Sequence, residues 1–247
     1  MSRRIRIEVA YDGTDYHGWQ VQPGLTTIQG LLQEIVSSIE GKHVPVAGSG
    51  RTDAGVHALA QVAAFTMENP IPVENLKKAV NRLLPRDIRV LAAAEAPPDF
   101  HPRFDAKAKT YEYRIFRGEI RSPFDCRYVH HHPYPLCVES MIEAAPLLEG
   151  EHDFTAFAAS DQDATGRSKV RNIWLSQLTS NGERACYRVR GSGFLKHMVR
   201  NIVGVLLEVG KGNLTPADLK ARLAPGCGIP AGPRAPACGL FLVKVEY

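Results

Sequence analysis

Residues 48–58 read Gly-Ser-Gly-Arg-Thr-Asp-Ala-Gly-Val-His-Ala, a run of small residues around three functional side chains. Two of these side chains, Arg51 and Asp53, carry opposite charges and are separated by one threonine. Apolar runs at residues 44–47 and 60–65 flank the stretch, and they predict two strands. Asp53 is therefore expected on a tight loop between strands, a position that often carries function. A turn in which the aspartate bonds its own backbone is the structural alternative.

The residues around this loop predict a β-α-β-β-α-β order over residues 1–100. Apolar side chains alternate in the first strand and recur at helical spacing in two later segments. We expect Thr26 or Thr27 to cap the first helix, and Pro85 to end the second. The positions that define these elements are Ile5, Ile7 and Val9 for the first strand, Ile28, Leu31, Leu32, Ile35, Val36 and Ile39 for the first helix, Leu76, Val80, Leu83 and Leu84 for the second helix, and Ile88, Val90 and Leu91 for the last strand.

The same order is predicted again after a proline-rich linker at residues 97–102. Strands are expected at residues 110–116, 170–178 and 185–191, and the last two are joined by an Asn-Gly hairpin signal. Helices are expected around Met141–Leu148, Met198–Val209 and Thr215, and Leu240, Leu242 and Val245 predict a closing strand. The chain is thus predicted to be α+β, with ferredoxin-like (split β-α-β) halves at residues 1–100 and 101–247. Together they would form a mainly antiparallel mixed sheet with a central active-site cleft.

Composition sets broad limits on the class of protein. The chain has 247 residues, of which 44% are hydrophobic, and this is enough for a substantial core. Five cysteines without a C-x-x-C spacing argue against a disulfide framework or a zinc ribbon. The first residues lack the apolar region of a signal peptide, and no apolar run is long enough to span a membrane. We therefore expect a cytoplasmic protein.

Positive charge is concentrated in residues 167–200. The net charge of the whole chain is only +4, yet this segment has eight basic residues against one acid, an excess of seven. A solvated surface is the ordinary interpretation. Aromatic residues interleaved with the basic ones favour an RNA-like partner, because they can stack on bases beside a bound phosphate backbone. The basic residues are Arg167, Lys169, Arg171, Arg184, Arg188, Arg190, Lys196 and Arg200.

The residues alone allow two other kinds of site. Asp12, Asp15 and Asp53 are carboxylates that could hold magnesium in a nuclease or phosphatase. The run His130-His131-His132 could bind a metal, but neighbouring residues of a strand point to opposite faces, so a packed or solvated strand end is favoured. No metal site is therefore predicted. A non-catalytic RNA-binding protein or RNA chaperone remains a further alternative.

Several motifs, in a fixed order, resemble the tRNA pseudouridine synthase A family. Residues 50–58 resemble the catalytic motif of that family, and residues 11–14 and 18–23 resemble its first loop. Residues 27–30 resemble the start of its first helix, residues 109–113 its tyrosine motif, residues 193–204 its third motif, and Gly239-Leu240 its closing strand. Together these motifs span nearly the whole chain. A single motif would be modest support, whereas their occurrence in the family's order makes the resemblance specific. The proline- and cysteine-rich stretch at residues 225–238 departs from the family pattern but contains none of the motifs.

The resemblance implies the conversion of uridine to pseudouridine at positions 38, 39 and 40, in the anticodon stem-loop of tRNA. It implies a homodimer that uses no cofactor, with Asp53 as the essential carboxylate.

Asp53 either attacks the sugar or removes a ribose proton, and Arg200 would keep it ionised by opposing the effect of desolvation on its pKa. Tyr111 would stack on the uracil and could remove the C5 proton. Leu195 would pack on the other face of the base, and Arg51 would hold the space left by the everted nucleotide. RNA-backbone contacts are expected from Arg167, Lys169, Arg171 and Lys196.

Overall fold

The computed structural model describes residues 2–159 and 168–247. Their strands are β1 (Arg3–Tyr11), β2 (Ala47–Gly48), β3 (His57–Met67), β4 (Ile88–Ala96), β5 (Ala108–Phe116), β6 (His130–His131), β7 (Gly150–Asp153), β8 (Val170–Asn181), β9 (Arg184–Gly191) and β10 (Leu240–Glu246). Their α-helices are α1 (Ile28–Glu40), α2 (Val73–Leu83), α3 (Val138–Ala144), α4 (Met198–Gly210) and α5 (Pro216–Ala221). Short 3-10 turns cover Ala145–Leu148, Thr155–Phe157 and Ala237–Gly239.

The first of two compact units comprises Met1–Lys107 and Phe241–Tyr247. Its strands lie in the order β4-β1-β3-β10, and β2 pairs with Ala63 and Ala64 of β3. The pairs β1–β3, β1–β4 and β2–β3 are antiparallel, whereas β10 runs parallel to β3. The unit is therefore built on a mixed, mainly antiparallel sheet.

Local sequence explains the elements of the first unit. Alternate residues of β1 are buried, because successive side chains of a strand point to opposite faces. Helix α1 begins after Thr27, whose side chain accepts a hydrogen bond from the amide of Gly30 and so satisfies an otherwise unpaired helix donor. The predicted cap and the predicted order of elements over residues 1–100 are both present.

The second compact unit comprises Ala108–Leu240. Its strands lie in the order β5-β9-β8-β7, all antiparallel, and β6 pairs in parallel with β5. The predicted Asn181-Gly182 hairpin joins β8 to β9, and Gly182 takes the positive φ that this turn needs. Strand β6 falls within the histidine run that was predicted as a strand end, whereas the short strand β7 was not expected from the sequence.

Helix α4 is the most deeply buried helix of this unit. Ten of its thirteen residues are buried, so it lies within the core and not on the surface. A Cβ at Gly204 would overlap the carbonyl oxygen of Pro233, so glycine permits this close approach of two backbones. Residues 233–235 thus pack against α4, and the amide of Ala235 donates to the carbonyl of Arg200 over 3.1 Å.

The α+β class and the mainly antiparallel, mixed sheet are confirmed. The closing strand is assigned differently from the sequence pattern, which groups it with residues 101–247. In the structure its residues from Phe241 onward belong to the first unit, because Phe241 and Leu242 pair with His57 and Ala58 of β3. Among the described residues, no helix is both long and apolar enough to cross a membrane.

Candidate active site

Asp53 lies on the loop between β2 and β3, as the sequence predicts, and its side chain is half-buried. The strands on either side of this loop are paired, since Gly48 of β2 lies opposite Ala63 of β3. Arg51, two residues earlier, is exposed. The loop therefore presents a carboxylate and a guanidinium from a base that the sheet holds in place.

A buried glutamine anchors the first part of the loop. The side-chain amide of Gln61 donates to the carbonyl of Gly50 over 3.0 Å, and its oxygen accepts from Ser49 Oγ at 2.5 Å. Both Ser49 and Gln61 are fully buried. Buried polar groups stabilise a structure only when they are hydrogen-bonded, as these are. The sequence pattern did not assign this role to Gln61, although a glutamine inside an apolar strand indicates a buried hydrogen-bonded side chain.

The loop at residues 12–20 holds the second part of the Asp53 loop, residues 52–56. The amide of Trp19 donates to the carbonyl of Thr52 over 3.0 Å, and the amide of Gly55 donates to the carbonyl of Tyr16 over 3.3 Å. Asp53 itself closes a turn, since its carbonyl accepts from the amide of Val56 at 3.1 Å. Two of the regions that the sequence singled out in this half, residues 11–23 and 50–58, thus lie against each other.

Tyr11 also supports the Asp53 loop, through a side-chain contact with Thr52. Its hydroxyl lies 2.8 Å from Thr52 Oγ1 in a buried pair. Burial raises the pKa of the Tyr11 phenol to about 12, so it stays neutral at physiological pH. The residue next to Asp53 is therefore fixed through its side chain as well as its backbone.

The other acids of this region have structural contacts of their own. Asp12 Oδ1 accepts from the amide of Thr14 at 3.0 Å, which forms a local turn, and Asp87 accepts from the hydroxyl of Tyr16 at 2.7 Å. Burial and the neighbouring Asp87 raise the pKa of Tyr16. Within residues 2–159 and 168–247, no group of three or more His, Cys, Asp or Glu side chains could hold a metal ion.

The histidine run lies at β6. His130 contacts Tyr113 edge-on, with ring centroids 6.0 Å apart, and His132 is buried. Burial lowers the pKa of His130 to about 4 and also lowers the pKa of His132. His130 is therefore a neutral, packed ring at pH 7, and His132 is also biased toward its neutral form.

In the second unit, Tyr111 lies on β5 with 8% of its surface exposed. Its ring meets Phe194 edge-on, with centroids 5.0 Å apart and planes at 77°. Leu195, the next residue, is half-buried, and its carbonyl accepts from the amide of Met198 at 3.1 Å as α4 begins. The tyrosine motif and the third motif are thus brought together, and Phe194 is a contact that sequence reasoning did not assign.

Arg200 lies in the first turn of α4 and is half-buried. Its Nε donates to the carbonyl of Ala235 over 2.8 Å. The preceding His197 has the positive φ of 63°, which is uncommon for a residue other than glycine. Strain of this kind clusters at functional segments and persists where neighbouring contacts enforce it.

The predicted RNA-backbone residues differ in their surroundings. Lys169 and Lys196 are exposed, whereas Arg171 is half-buried and donates to the carbonyls of Ser168 and Val170. Arg167 lies outside the described residues. Two further arginines of the basic segment are paired with acids from other segments, Arg184 with Asp125 and Arg188 with Glu112. The excess of seven charges along the sequence therefore overstates the local charge of the surface.

Comparisons with known proteins decide the family. The sequence profile of the tRNA pseudouridine synthase family matches residues 7–105 and 144–247, which is more than half of the chain. The chain belongs to the tRNA pseudouridine synthase family. It is therefore an enzyme, an isomerase of the pseudouridine synthase type.

Curated members of this family match over at least 95% of their own length. A tRNA pseudouridine synthase A from Solibacter usitatus is 66% identical and covers 99% of this chain and 100% of its own length. Its namesake from Geobacillus kaustophilus is 45% identical and covers 100% of this chain and 95% of its own length. A solved structure, of a Cbf5-Nop10-Gar1 complex, has a TM-score of only 0.32 at 16% identity, over 83% of this chain and 54% of its own. That likeness is too weak to bear on the site.

Proposed function

We propose that this pseudouridine synthase isomerises uridines at positions 38, 39 and 40, in the anticodon stem-loop of tRNA, with Asp53 as the catalytic carboxylate. The observation that carries the proposal is the construction of the Asp53 loop. Backbone and side-chain hydrogen bonds hold this loop from both sides, while the Asp53 side chain stays half-buried and accessible. The high identity to proteins named tRNA pseudouridine synthase A supports the choice of tRNA as substrate.

The reaction needs little more than a well-placed carboxylate. The bond from C1′ to N1 breaks, the uracil turns, a bond from C1′ to C5 forms, and the C5 proton moves while N1 gains a proton. No electrons enter or leave, so the isomerisation requires neither an oxidant nor a reductant. Asp53 acts either as the nucleophile at the sugar or as the base on the ribose, in both cases as an ionised carboxylate.

The other roles follow the family resemblance. Tyr111 stacks on the uracil and is the candidate acceptor of the C5 proton, Leu195 packs against the base, and Arg51 holds the space of the everted nucleotide. Arg200 supplies a positive charge for the catalytic carboxylate. The packing of Tyr111 against Phe194 supports a rigid aromatic platform, and the exposed position of Arg51 supports contact with RNA.

The phosphate backbone of tRNA would be bound by exposed basic side chains, Lys169 and Lys196 among them, with Arg171 and Arg167 beside them in sequence. We further propose that the enzyme acts in the cytoplasm as a homodimer without a cofactor. These three properties rest on the family resemblance, and the oligomeric state is tested directly by sedimentation equilibrium.

The test is pseudouridine mapping in an unmodified tRNA transcript incubated with the purified protein in excess EDTA. We expect pseudouridine at positions 38 to 40 where uridine is present, and no product with Asp53→Asn at unchanged folding and tRNA affinity. Asp15→Asn is the matched control, because Asp15 is an exposed carboxylate of the neighbouring loop. A few per cent of wild-type rate in Asp53→Asn, with deamidation excluded, would remove Asp53 from the chemistry. Inhibition by EDTA would favour the metal-dependent alternative.

A further inference from the structure

His57 follows the Asp53 loop at the first position of β3, and only 1% of its surface is exposed. We propose that His57 is a positioning residue, which fixes the backbone of the Asp53 loop by accepting a hydrogen bond from the amide of Gly13. This inference rests on the proposed catalytic role of Asp53. It gives this buried histidine a role in positioning the Asp53 loop, in addition to its packing within the unit.

The ring of His57 is fixed by contacts on two sides. Its Nδ1 lies 3.1 Å from the amide nitrogen of Gly13, which donates to it, and 3.1 Å from Asp12 Oδ1. Its plane stacks on the ring of Phe241, with centroids 4.6 Å apart and planes at 22°. In the contact with Gly13, Nδ1 is the acceptor and the backbone amide is the donor. The acceptor is thus held in one place by an aromatic stack.

Gly13 depends on this acceptor. Gly13 is buried, and a Cβ there would overlap the carbonyl oxygen of Val56. The first loop therefore touches the backbone of the Asp53 loop with no space between them. A buried amide that loses its hydrogen-bond partner is unfavourable, so the loop would shift to find another acceptor.

Three further hydrogen bonds connect Gly13 to Asp53. The carbonyl of Gly13 accepts from the amide of Tyr16 at 3.1 Å, and the carbonyl of Tyr16 accepts from the amide of Gly55 at 3.3 Å. The turn then closes at Asp53, whose carbonyl accepts from Val56 at 3.1 Å. A displacement that starts at the His57 acceptor is thereby transmitted to the residue that carries the carboxylate.

The expected consequence is a loss of turnover without a loss of binding. A carboxylate displaced by about 1 Å can cost roughly 100-fold in rate, because the reacting atoms leave their attack geometry. The contacts that bind tRNA elsewhere on the chain would be unaffected. We therefore expect removal of the acceptor to lower kcat by about 10- to 100-fold, with tRNA Kd within about two-fold of wild type.

The experiment compares His57→Asn with His57→Leu, two side chains of nearly the same shape. The amide oxygen of asparagine can replace the Nδ1 acceptor, whereas leucine has no polar atom. His57→Phe is the third variant, since it keeps the stack on Phe241 and so protects folding. We expect His57→Leu and His57→Phe to lose kcat and His57→Asn to recover most of it, even where His57→Asn is the least stable of the three.

Two readouts separate this inference from a purely structural role and from the proposed function. Hydrogen exchange at the Gly13 amide, followed by NMR, is expected to accelerate in His57→Leu and to slow again in His57→Asn, whether or not the enzyme is active. Wild-type kcat in His57→Phe, or activity that follows only the folded fraction in all three variants, would overturn the positioning role. An inactive wild type or an active Asp53→Asn would instead overturn the proposed function.

Discussion

At the scale of the residue, Tyr111 combines two groups that can be tested separately, a ring and a hydroxyl. The ring packs edge-on against Phe194 and is mostly buried. Tyr111→Phe keeps this ring and removes only the oxygen. If the hydroxyl accepts the C5 proton, we expect product formation to fall by about 100-fold or more, with tRNA affinity within about two-fold.

Single-turnover kinetics and a tRNA-binding isotherm measure these two effects. Phe194→Leu is the complementary variant, because it removes the edge contact and leaves the hydroxyl in place. Unchanged turnover in Tyr111→Phe would show that Tyr111 serves as a stacking surface only, and that the proton acceptor lies elsewhere.

Much of the loop around Asp53 could be predicted from the sequence, because small residues between two apolar runs indicate a tight turn between strands. The supports of the loop could not be predicted in the same way. His57 meets Gly13 across 44 positions of sequence, and no local pattern encodes such a contact. Gln61 was recognisable only as a polar residue inside an apolar strand, which does not reveal the carbonyl that it binds.

At the scale of the element, strands β8 and β9 show why charge counted along a sequence differs from charge available to a ligand. Arg184 pairs with Asp125 at 2.6 Å, and Arg188 donates to Glu112 over 3.0 Å. Arg190 lies over the ring of Trp174, with its guanidinium carbon 5.0 Å from the centroid. These side chains have contacts within the protein, whereas Lys169 and Lys196 are exposed near the ends of the segment.

We therefore expect the exposed lysines to contribute more to phosphate binding than the paired arginines. Lys169→Gln and Lys196→Gln should each weaken tRNA binding and lower the slope of log K against log salt by somewhat less than one unit. Arg184→Gln is the matched control, with the same loss of one charge but a smaller change in slope. Affinity measured over a series of salt concentrations decides this. An equal or larger change of slope in the arginine variant would contradict the ranking.

The elements that the sequence predicted best are those with a long, periodic apolar pattern, such as α1, α4 and β1. The strands β6 and β7 have only two and four residues, too few for any periodicity to be recognised. Each exists because a longer neighbour pairs with it, β5 in one case and β8 in the other. Short strands of this kind are determined by tertiary contacts and not by local propensity.

At the scale of the whole molecule, the half-buried histidine His130 makes stability depend on pH. Burial lowers the pKa of His130 from 6.5 to about 4, so the folded state binds this proton less readily than the unfolded state. The folded state is therefore disfavoured as pH falls from about 6.5 to about 4, and the effect levels off below that range. Well above pH 6.5 the ring is neutral in both states and contributes no pH dependence.

We expect this histidine to reduce the free energy of unfolding by about 1–2 kcal/mol over that interval, after allowance for partial exposure of the ring. Urea unfolding at a series of pH values measures it. Acidic residues also titrate in this range, so the relevant quantity is the difference between wild type and His130→Gln. Parallel pH profiles for the two proteins would show that His130 does not contribute.

The closing strand makes the first unit discontinuous in sequence, since Phe241–Tyr247 complete a sheet whose other strands end by residue 96. During synthesis, residues 1–107 leave the ribosome well before β10 has been made. The first unit therefore cannot complete its sheet until this last strand is available. The second unit is a single uninterrupted segment, Ala108–Leu240, and can acquire its full set of strands earlier. We therefore expect stalled nascent chains to become protease-resistant over the second unit first, so that folding order during synthesis runs opposite to the order of the units along the chain.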